Sequence, residues 1–440
     1  MRFLGVGETC DLGDLYLRLQ DEGHEVRVAI SEPEAGGTLA GLVPTTHDWR
    51  SELDWIRAAP DLGIILFESV SEGFGRVQDD LRRDGYHVVG GSAYGDRLEN
   101  DRAYAQEVLA ELGFPKGHVW EFVDVETALR FIADQPARYV LKLSGAEHTS
   151  SDTYVGQLAD GEDVAAMLLS KLSEAATRFI LMEFIDGIEM GVGAYFNGER
   201  FITPACLDWE HKRFFAGNLG ELTGEMGTVV TYQGTTQFFE RTLARMEQRL
   251  RDNGYLGYIN LNTIVNERGI WPLEFTCRFG YPGFAVLEPL QALGWGELLA
   301  AMINRDRQEF DVRPGFSLCV VLTTPPFPYS RHQVETAVGL PLLSGDIPVE
   351  HLHLGEVGIA GTQLVTSGLY GWTAVVTGTG ATVQEAKDQA YGHARQVQAP
   401  SLRYRLDIGD TLISGDLEKL VEWGWLKSMP DSRIASQIVR

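Results

Sequence analysis

The chain has 440 residues, too many for one hydrophobic core and enough for two to four domains or subdomains. Its hydrophobic share of 44% and charged share of 22% are ordinary for a globular enzyme. A net charge of −25 argues against a nucleic-acid backbone as the main partner, because that contact needs a basic footprint.

A small anionic ligand stays open, since a local group of Lys and Arg can bind phosphate within an acidic protein. The four cysteines, Cys10, Cys206, Cys277 and Cys319, are far apart and form no CxxC pair, so buried reduced thiols and no zinc motif are expected. Cys277 beside Arg278 has two readings, a nucleophile and a small strand residue of the core, and the second is favoured. The amino terminus has no long apolar signal segment, and no run approaches the roughly 18 apolar residues of a membrane span. A cytoplasmic protein, monomeric or dimeric and without a membrane partner, is the expectation.

Arg2–Val6 has a short strand pattern; a turn, a helical period over Leu12–Gln20, a stop at Gly23 and a strand over Glu25–Ile30 follow. Leu62–Phe67 is an apolar run of the buried parallel kind, then come a helix ending at Gly85 and the strand Tyr86–Gly90. This alternation predicts a doubly wound sheet over residues 1–95, with ligands at the carboxyl ends of its strands, near Gly7–Asp11 and Glu68–Ser71. Within Arg97–Pro115 a helix opens after Asn100 or Asp101 and stops at Gly113–Pro115. Next come a helix (Val125–Gln135), a strand (Ala137–Leu143), a helix (Val164–Ala175) and strands at Arg178–Ile185 and Met190–Ile202, the last turning at Asn197-Gly198. A long helix is expected over Thr235–Asn253, and Tyr258–Phe275 reads as a hairpin with its turn at Glu267–Gly269. After Arg307 the pattern becomes rich in strands, with a loop at Thr324–Pro328 and a frayed tail at Asp431–Arg440.

Several motifs carry chemistry. Lys142 lies on a strand between apolar residues, which suits a lysine whose head meets an anion, although a stem laid over apolar surface gives the same pattern. Glu183 and Glu189 flank an Asp-Gly turn and read equally as solvated strand-end carboxylates. His211, Lys212 and Arg213 precede the glycine-rich Ala216–Gly227, and basic side chains with glycine N–H groups make an anion-binding loop. In "WPLEFTCRFGYPG", Trp271–Gly283, Glu274 ends a strand-like run and Arg278 and two glycines follow. A carboxylate binds a hard divalent cation, and a nearby guanidinium neutralises phosphate or carboxylate oxygens. The Gly5–Gly7 pair lacks the third glycine of a dinucleotide fingerprint, Cys10 standing in its place, which argues against an NAD enzyme.

In this order and spacing the segments "YVLKLSG", "FILMEFIDGIEMG", "EHKR…GELTGEMG" and "WPLEFTCRFGYPG" resemble the ATP-grasp ligases, most closely the phosphoribosylamine–glycine ligase family, over nearly the whole chain. The resemblance implies an α/β multi-domain fold. A doubly wound domain would occupy residues 1–95, an ATP-grasp domain 96–310 with its smaller lobe about 118–185, and a small α+β carboxy-terminal domain 311–440. It implies ATP and Mg2+ (or Mn2+), with Lys142 and Arg102 near the phosphates, backbone around Glu183, Phe184 and Ile185 against adenine, and Glu189 on the ribose. Glu274 and Thr276 would serve the metal, and Lys212 and Arg278 the chemistry. Glu8, Asp11, Glu68, Arg213 and Gly224 would face the substrates. The activity implied is an ATP-dependent carboxylate–amine ligation through an acyl phosphate, with an amino acid such as glycine as carboxylate.

The chain departs from the family at definite places. Arg102 replaces a lysine and Thr276 an asparagine, for which Asn262 is a candidate substitute oxygen. Tyr281 and Gly283 replace acidic residues. The loop after Lys142, "SGAEHTSSDTYVG", has no second lysine, so Ser144, His148, Thr149 and Ser150 would have to serve. The family's Gly-Pro-Glu is replaced by Glu68-Ser69-Val70. The first β–α turn, "GVGETCDLGD", carries Glu8, Asp11 and Asp14 where the family binds a ribose phosphate. The expectation is a ligase with a changed amine acceptor; the alternatives are a catalytically impaired nucleotide- or partner-binding derivative and an authentic phosphoribosylamine–glycine ligase.

Overall fold

A computed structural model describes residues 1–71, 73–143, 153–171 and 179–427. It divides into a larger unit, Met1–Val108 with Glu189–Thr263 and Leu273–Arg440, and a smaller one, Leu109–Ile188 with Ile264–Pro272. No helix among the described residues is long and apolar enough to cross a membrane.

The larger unit begins with a parallel sheet of β1 (Arg2–Gly7), β2 (Glu25–Ile30), β3 (Thr45–Thr46), β4 (Gly63–Phe67) and β5 (His87–Val89), in the order β3-β2-β1-β4-β5. Both faces are buried, so its strands read as continuous apolar runs: Phe3 packs into one core and Leu4 and Val6 into another. The helix Gly13–Asp21 crosses back over β1, and Gly5 is bare because a Cβ there would lie 2.2 Å from the Tyr16 ring. The first β–α turn and the end of β4 thus share one edge of the sheet. The helix Arg102–Glu111 starts at Asp101, whose carboxylate accepts the N–H of Tyr104 at 3.0 Å.

The smaller unit is an antiparallel sheet of β6 (Val119–Phe122), β7 (Tyr139–Leu143), β8 (Thr153–Val155) and β9 (Phe179–Glu183), in the order β6-β9-β7-β8. The helices Val125–Asp134 and Glu162–Lys171 contribute Ala128, Ile132, Val164 and Leu168 to its core with Leu141 and Leu181. Residues 144–152, the expected phosphate loop with Ser144, His148, Thr149 and Ser150, and the tail Asp431–Arg440 lie outside the described residues.

The second sheet uses β10 (Ile188–Phe196), β11 (Phe201–Glu210), β14 (Thr228–Thr231), β15 (Gly257–Asn266), β16 (Gly269–Thr276), β17 (Phe316–Thr323), β18 (Leu352–Leu354) and β21 (Trp372–Gly380), all of the larger unit except Ile188 and Ile264–Pro272. Its order is β16-β15-β10-β11-β14-β17-β21-β18, so strands from the carboxy-terminal segment extend the sheet that begins with β10. Two-stranded arms, β12 (Arg213–Phe215) with β13 (Leu219–Leu222) and β19 (Val357–Ala360) with β20 (Gln363–Thr366), stand apart from it.

The helix expected over Thr235–Asn253 is three pieces, Thr236–Arg241, a 3-10 turn at Leu243–Met246, and Glu247–Asp252. It breaks at Thr242, whose φ of −124° and ψ of −100° leave the helical region. The Thr242 hydroxyl donates to the Phe238 carbonyl at 2.5 Å. A β-branched hydroxyl that bonds back to the preceding turn competes with the helix ladder.

Candidate active site

The larger unit holds a cleft of 240 Å³ lined by residues of β11, β14, β15 and β16. Lys212 is its centre. The ammonium lies 3.0 Å from Glu210 Oε2, 3.3 Å from Glu189 Oε1 and 3.3 Å from Glu274 Oε1. Burial alone would lower its pKa, but Glu210, Glu189 and Glu274 outweigh it and push it well up, so the lysine is a fixed cation. Arg102 donates to the other oxygen of Glu274 at 2.6 Å. Against the cost of burial, Lys212 and Arg102 hold Glu274 below its usual value, so it is ionised.

Asn262 donates to Glu189 at 2.8 Å, and its carbonyl oxygen accepts the N–H of Thr263 at 2.9 Å. It therefore steadies Glu189 from the cleft wall, and its oxygen keeps a second lone pair. Arg278 is tied by Glu99, which accepts its Nε at 3.2 Å and the Cys277 N–H at 2.6 Å. The Cys277 thiol is fully buried, and burial with Glu99 beside it pushes its pKa well up, so it is a core residue and no nucleophile. Deeper in the cleft Asn260 donates to Asp208 Oδ2 at 2.6 Å. Burial and the nearby Glu210 push Asp208 up to about 8.

The other wall is aromatic: Tyr281 and Trp372 stack with ring centroids 4.5 Å apart. Buried Glu356 accepts the N–H groups of Leu369 at 2.9 Å, Tyr370 at 3.0 Å and Trp372 at 3.1 Å, which pins the loop that carries Trp372.

At the first β–α turn Glu68 is 2% exposed. It accepts the Asp11 N–H at 2.7 Å, the Leu12 N–H and the Tyr16 hydroxyl at 2.5 Å. Burial and Asp11 raise it to about 7. Glu8 accepts from Ser71 at 2.8 Å. Asp14, expected to add to the acidity of this turn, sits instead in a buried ion-pair group, 2.7 Å from His353 and 3.6 Å from Arg18. His353 also lies 3.1 Å from Glu288. Burial would lower His353, but Asp14 and Glu288 raise it to about 9, so Asp14 is neutralised.

In the smaller unit Lys142 lies on β7, across from Ile180 and Thr153. The Glu183 N–H is taken by the His118 carbonyl at 2.9 Å and the Phe184 N–H by the Arg138 carbonyl at 3.2 Å. Arg138 stacks on the Phe184 ring at 3.5 Å, and Ile185 follows, half-buried.

Residues 100–284 match the family model of the phosphoribosylglycinamide synthetase ATP-grasp (A) domain. That segment is an ATP-grasp domain. It is 25% identical over 419 residues to a phosphoribosylamine–glycine ligase of Vibrio vulnificus (strain YJ016), covering 92% of each chain. It is 28% identical over 349 residues to one of Nostoc sp. (strain PCC 7120), covering 76% of this chain and 80% of the relative. In fold it is similar to a phosphoribosylamine–glycine ligase structure from Thermotoga maritima, with a TM-score of 0.69 at 20% identity over 93% of this chain and all of the other.

The ATP-grasp cleft brings together Lys212, Glu274, Thr276, Arg278, Gly224 and Asp11 along its walls, with Glu189 and Arg102 joined to it through Lys212 and Glu274. Arg213 is not among the lining residues: its guanidinium donates to the Gly220 carbonyl at 2.8 Å and braces the β12–β13 arm. Glu68 is covered and bonded inward, and so does not face a substrate directly. Lys142, Glu183, Phe184 and Ile185 belong to the smaller unit. Sequence reasoning missed Asp208, Asn260, Glu225, Glu99 and Trp372. For Asp208 one signal was present, a carboxylate inside the apolar strand run "PACLDWE".

Proposed function

We propose that this ATP-dependent C–N ligase joins a small carboxylate, glycine or another small amino acid, to an amine other than phosphoribosylamine, in the cytoplasm. The carboxylate oxygen attacks the γ-phosphorus of ATP, ADP leaves, and an acyl phosphate forms. The amine nitrogen then attacks the acyl carbon, phosphate departs with the C–O bonding pair, and the amine proton passes to solvent. Such a transfer requires chiefly positioning and charge neutralisation.

Lys212, fixed as a cation by its three carboxylates, and Arg278, oriented by Glu99, suit the transferred phosphoryl oxygens. Gly224 leaves the cleft wall bare beside them. Lys142 is assigned to the ATP phosphates and Glu189 to the ribose hydroxyls. Because the Glu183 and Phe184 N–H groups are already bonded, the donor for an adenine edge falls to Ile185, with the Glu183 carbonyl as acceptor. Glu274, ionised, and the Thr276 hydroxyl two residues along the same strand face are hard oxygen donors that fit Mg2+ or Mn2+. That ion would supply charge neutralisation at the phosphates.

Nucleotide binding is tested by thermal denaturation. ATP–Mg2+ is expected to raise Tm, by about 2.7 kcal/mol of stabilisation at 100 times its Kd. Lys142→Ala and Glu189→Ala should each shrink the shift while the unliganded proteins stay folded. An absent shift at millimolar ATP and magnesium would remove the nucleotide from the reading.

One observation carries the change of acceptor: the Glu68 carboxylate takes the Asp11 and Leu12 N–H groups of the turn where the family binds ribose phosphate. It reaches them because residue 7 is glycine; a Cβ there would lie 2.5 Å from Glu68 Oε2. A phosphate dianion would have to displace a buried carboxyl group and stand beside Asp11 and Glu8, and each pair of unit like charges about 5 Å apart costs roughly 3 kcal/mol at an effective dielectric near 20. An amine or hydroxyl acceptor instead finds acceptors in Asp11 and Glu8. Steady-state kinetics with glycine, ATP and freshly generated phosphoribosylamine should give little glycinamide ribonucleotide. Efficient formation would favour an authentic phosphoribosylamine–glycine ligase, the reading that the coverage of whole-length relatives supports.

A further inference from the structure

Asp208 on β11 stands opposite Gly191 on β10, and Asn260 reaches the same place from β15 on the other side of β10. The two side chains meet over the bare glycine: a Cβ at position 191 would lie 2.3 Å from Asp208 Oδ1 and 2.8 Å from Asn260 Oδ1. Asp208 is 5% exposed and lines the cleft, yet its Oδ1 has no hydrogen-bond partner among the described residues. A buried acceptor without a donor is costly, so an unmet oxygen at a cleft wall marks the place of a donor not supplied by the chain itself.

The charge around it points the same way. Glu225, 2% exposed, lines the same cleft and accepts only neutral N–H groups, from His211 at 2.9 Å and Gly227 at 3.3 Å. Lys212 is already held by Glu189, Glu210 and Glu274. The pair Asp208 and Glu225 therefore lacks an ion-paired cation among the described residues.

We propose that Asp208, with Asn260 and Glu225 beside it, forms a subsite for the primary ammonium group of a substrate. Burial and Glu210 keep Asp208 largely protonated while no cation faces it. An ammonium brings a positive charge and three donors, favours loss of that proton to solvent, and is met by the freed carboxylate oxygen with the Asn260 carbonyl oxygen as a second acceptor. Magnesium would demand close to six oxygens, and the Asn260 N–H already holds Asp208 Oδ2. The substrate is understood through the ligase reading, in which the ammonium belongs either to the amino acid or to the amine acceptor before it loses its proton.

The test is calorimetric titration of the full chain, without nucleotide, with glycine against acetate and with butylamine against butan-1-ol. In the wild-type protein at least one amine is expected to bind tenfold or more tightly than its deamino partner, and Asp208→Asn should abolish that preference while keeping the ATP–Mg2+ thermal shift. Preference for glycine assigns the subsite to the amino acid; preference for butylamine assigns it to the acceptor. Gly191→Ala, which pushes a methyl group against Asp208 Oδ1 and keeps its carboxyl group, should have the same effect and serves if Asp208→Asn does not fold. Equal binding of both members of both pairs, or a preference unchanged in both variants, overturns the proposal. So does loss of the ATP–Mg2+ shift in Asp208→Asn with the amines unaffected, which would make it a metal site. The wild-type ATP–Mg2+ shift is read separately, so failure of the ligase reading is distinguishable from failure of the subsite.

Discussion

Glu274→Gln is expected to lower turnover about 100- to 1000-fold, the size seen when one charge-stabilising group is removed at a transferring centre, and to weaken ATP binding only severalfold. Its two oxygens lie 3.3 Å from Lys212 and 2.6 Å from Arg102, so it orders both cations as well as offering a hard donor. Glutamine keeps the shape and one acceptor but turns an N–H toward one of the cations. The loss therefore falls on charge and alignment at the reacting phosphate rather than on contacts to the nucleoside. The Glu274 side chain is 40% exposed, so the fold should tolerate the change. The partner experiment is Thr276→Asn, which places an amide carbonyl on the same strand face and should hold or improve activation by magnesium. Parental turnover in Glu274→Gln, measured by ADP release, would mean that the metal donor lies elsewhere.

Glu68→Gln is expected to change stability by a similarly decisive amount, and with a definite pH dependence. Glu68 is raised from 4.5 to about 7 by burial and by Asp11. A carboxyl whose folded pKa is raised contributes stability that is complete below about pH 4.5 and is lost as pH climbs through 7, because the folded state binds the extra proton in that window. That rise corresponds to roughly 3 kcal/mol. The wild-type protein should therefore lose up to about that much relative to Glu68→Gln between pH 4.5 and 7, with the difference level above pH 7.5. Part of it will be returned where glutamine accepts fewer of the Asp11, Leu12 and Tyr16 donors. Urea unfolding of both proteins across pH 4.5–8 measures it. A difference independent of pH would mean that Glu68 is ionised throughout, and the turn would hold a full charge.

Much of this arrangement was legible locally. β1 and β2 showed as strands and β4 as a buried parallel strand because both faces of their sheet are covered, and the helix starting at Arg102 was expected after Asn100 or Asp101, of which Asp101 is the one that caps it. Glu274 and Arg278 stand four residues apart around a strand end, and Lys212 sits in a basic cluster ahead of a glycine-rich loop; residue type and the resemblance to ATP-grasp ligases together brought them into view. The break at Thr242 was not legible, since it depends on a side-chain bond that competes with an otherwise good helical pattern. Nor was the reversal at Asp14, whose charge is cancelled by His353, 339 residues away.

The sequence by itself carried the ATP-grasp resemblance and the doubly wound start, and through that resemblance it singled out Lys142, Lys212, Glu274 and Arg278 as candidates, because the motifs rest on short-range order: strand alternation, turn glycines and residue types a few positions apart. Only the tertiary structure decided that Lys212 is caged by three carboxylates, that Glu68 fills the first β–α turn, and that Asp208 meets Asn260 over Gly191. Those contacts depend on which strands are neighbours and on their register. A shift of one residue turns every side chain to the opposite face, so the pairing of Gly191 with Asp208 is a property of the assembled sheet and not of either segment.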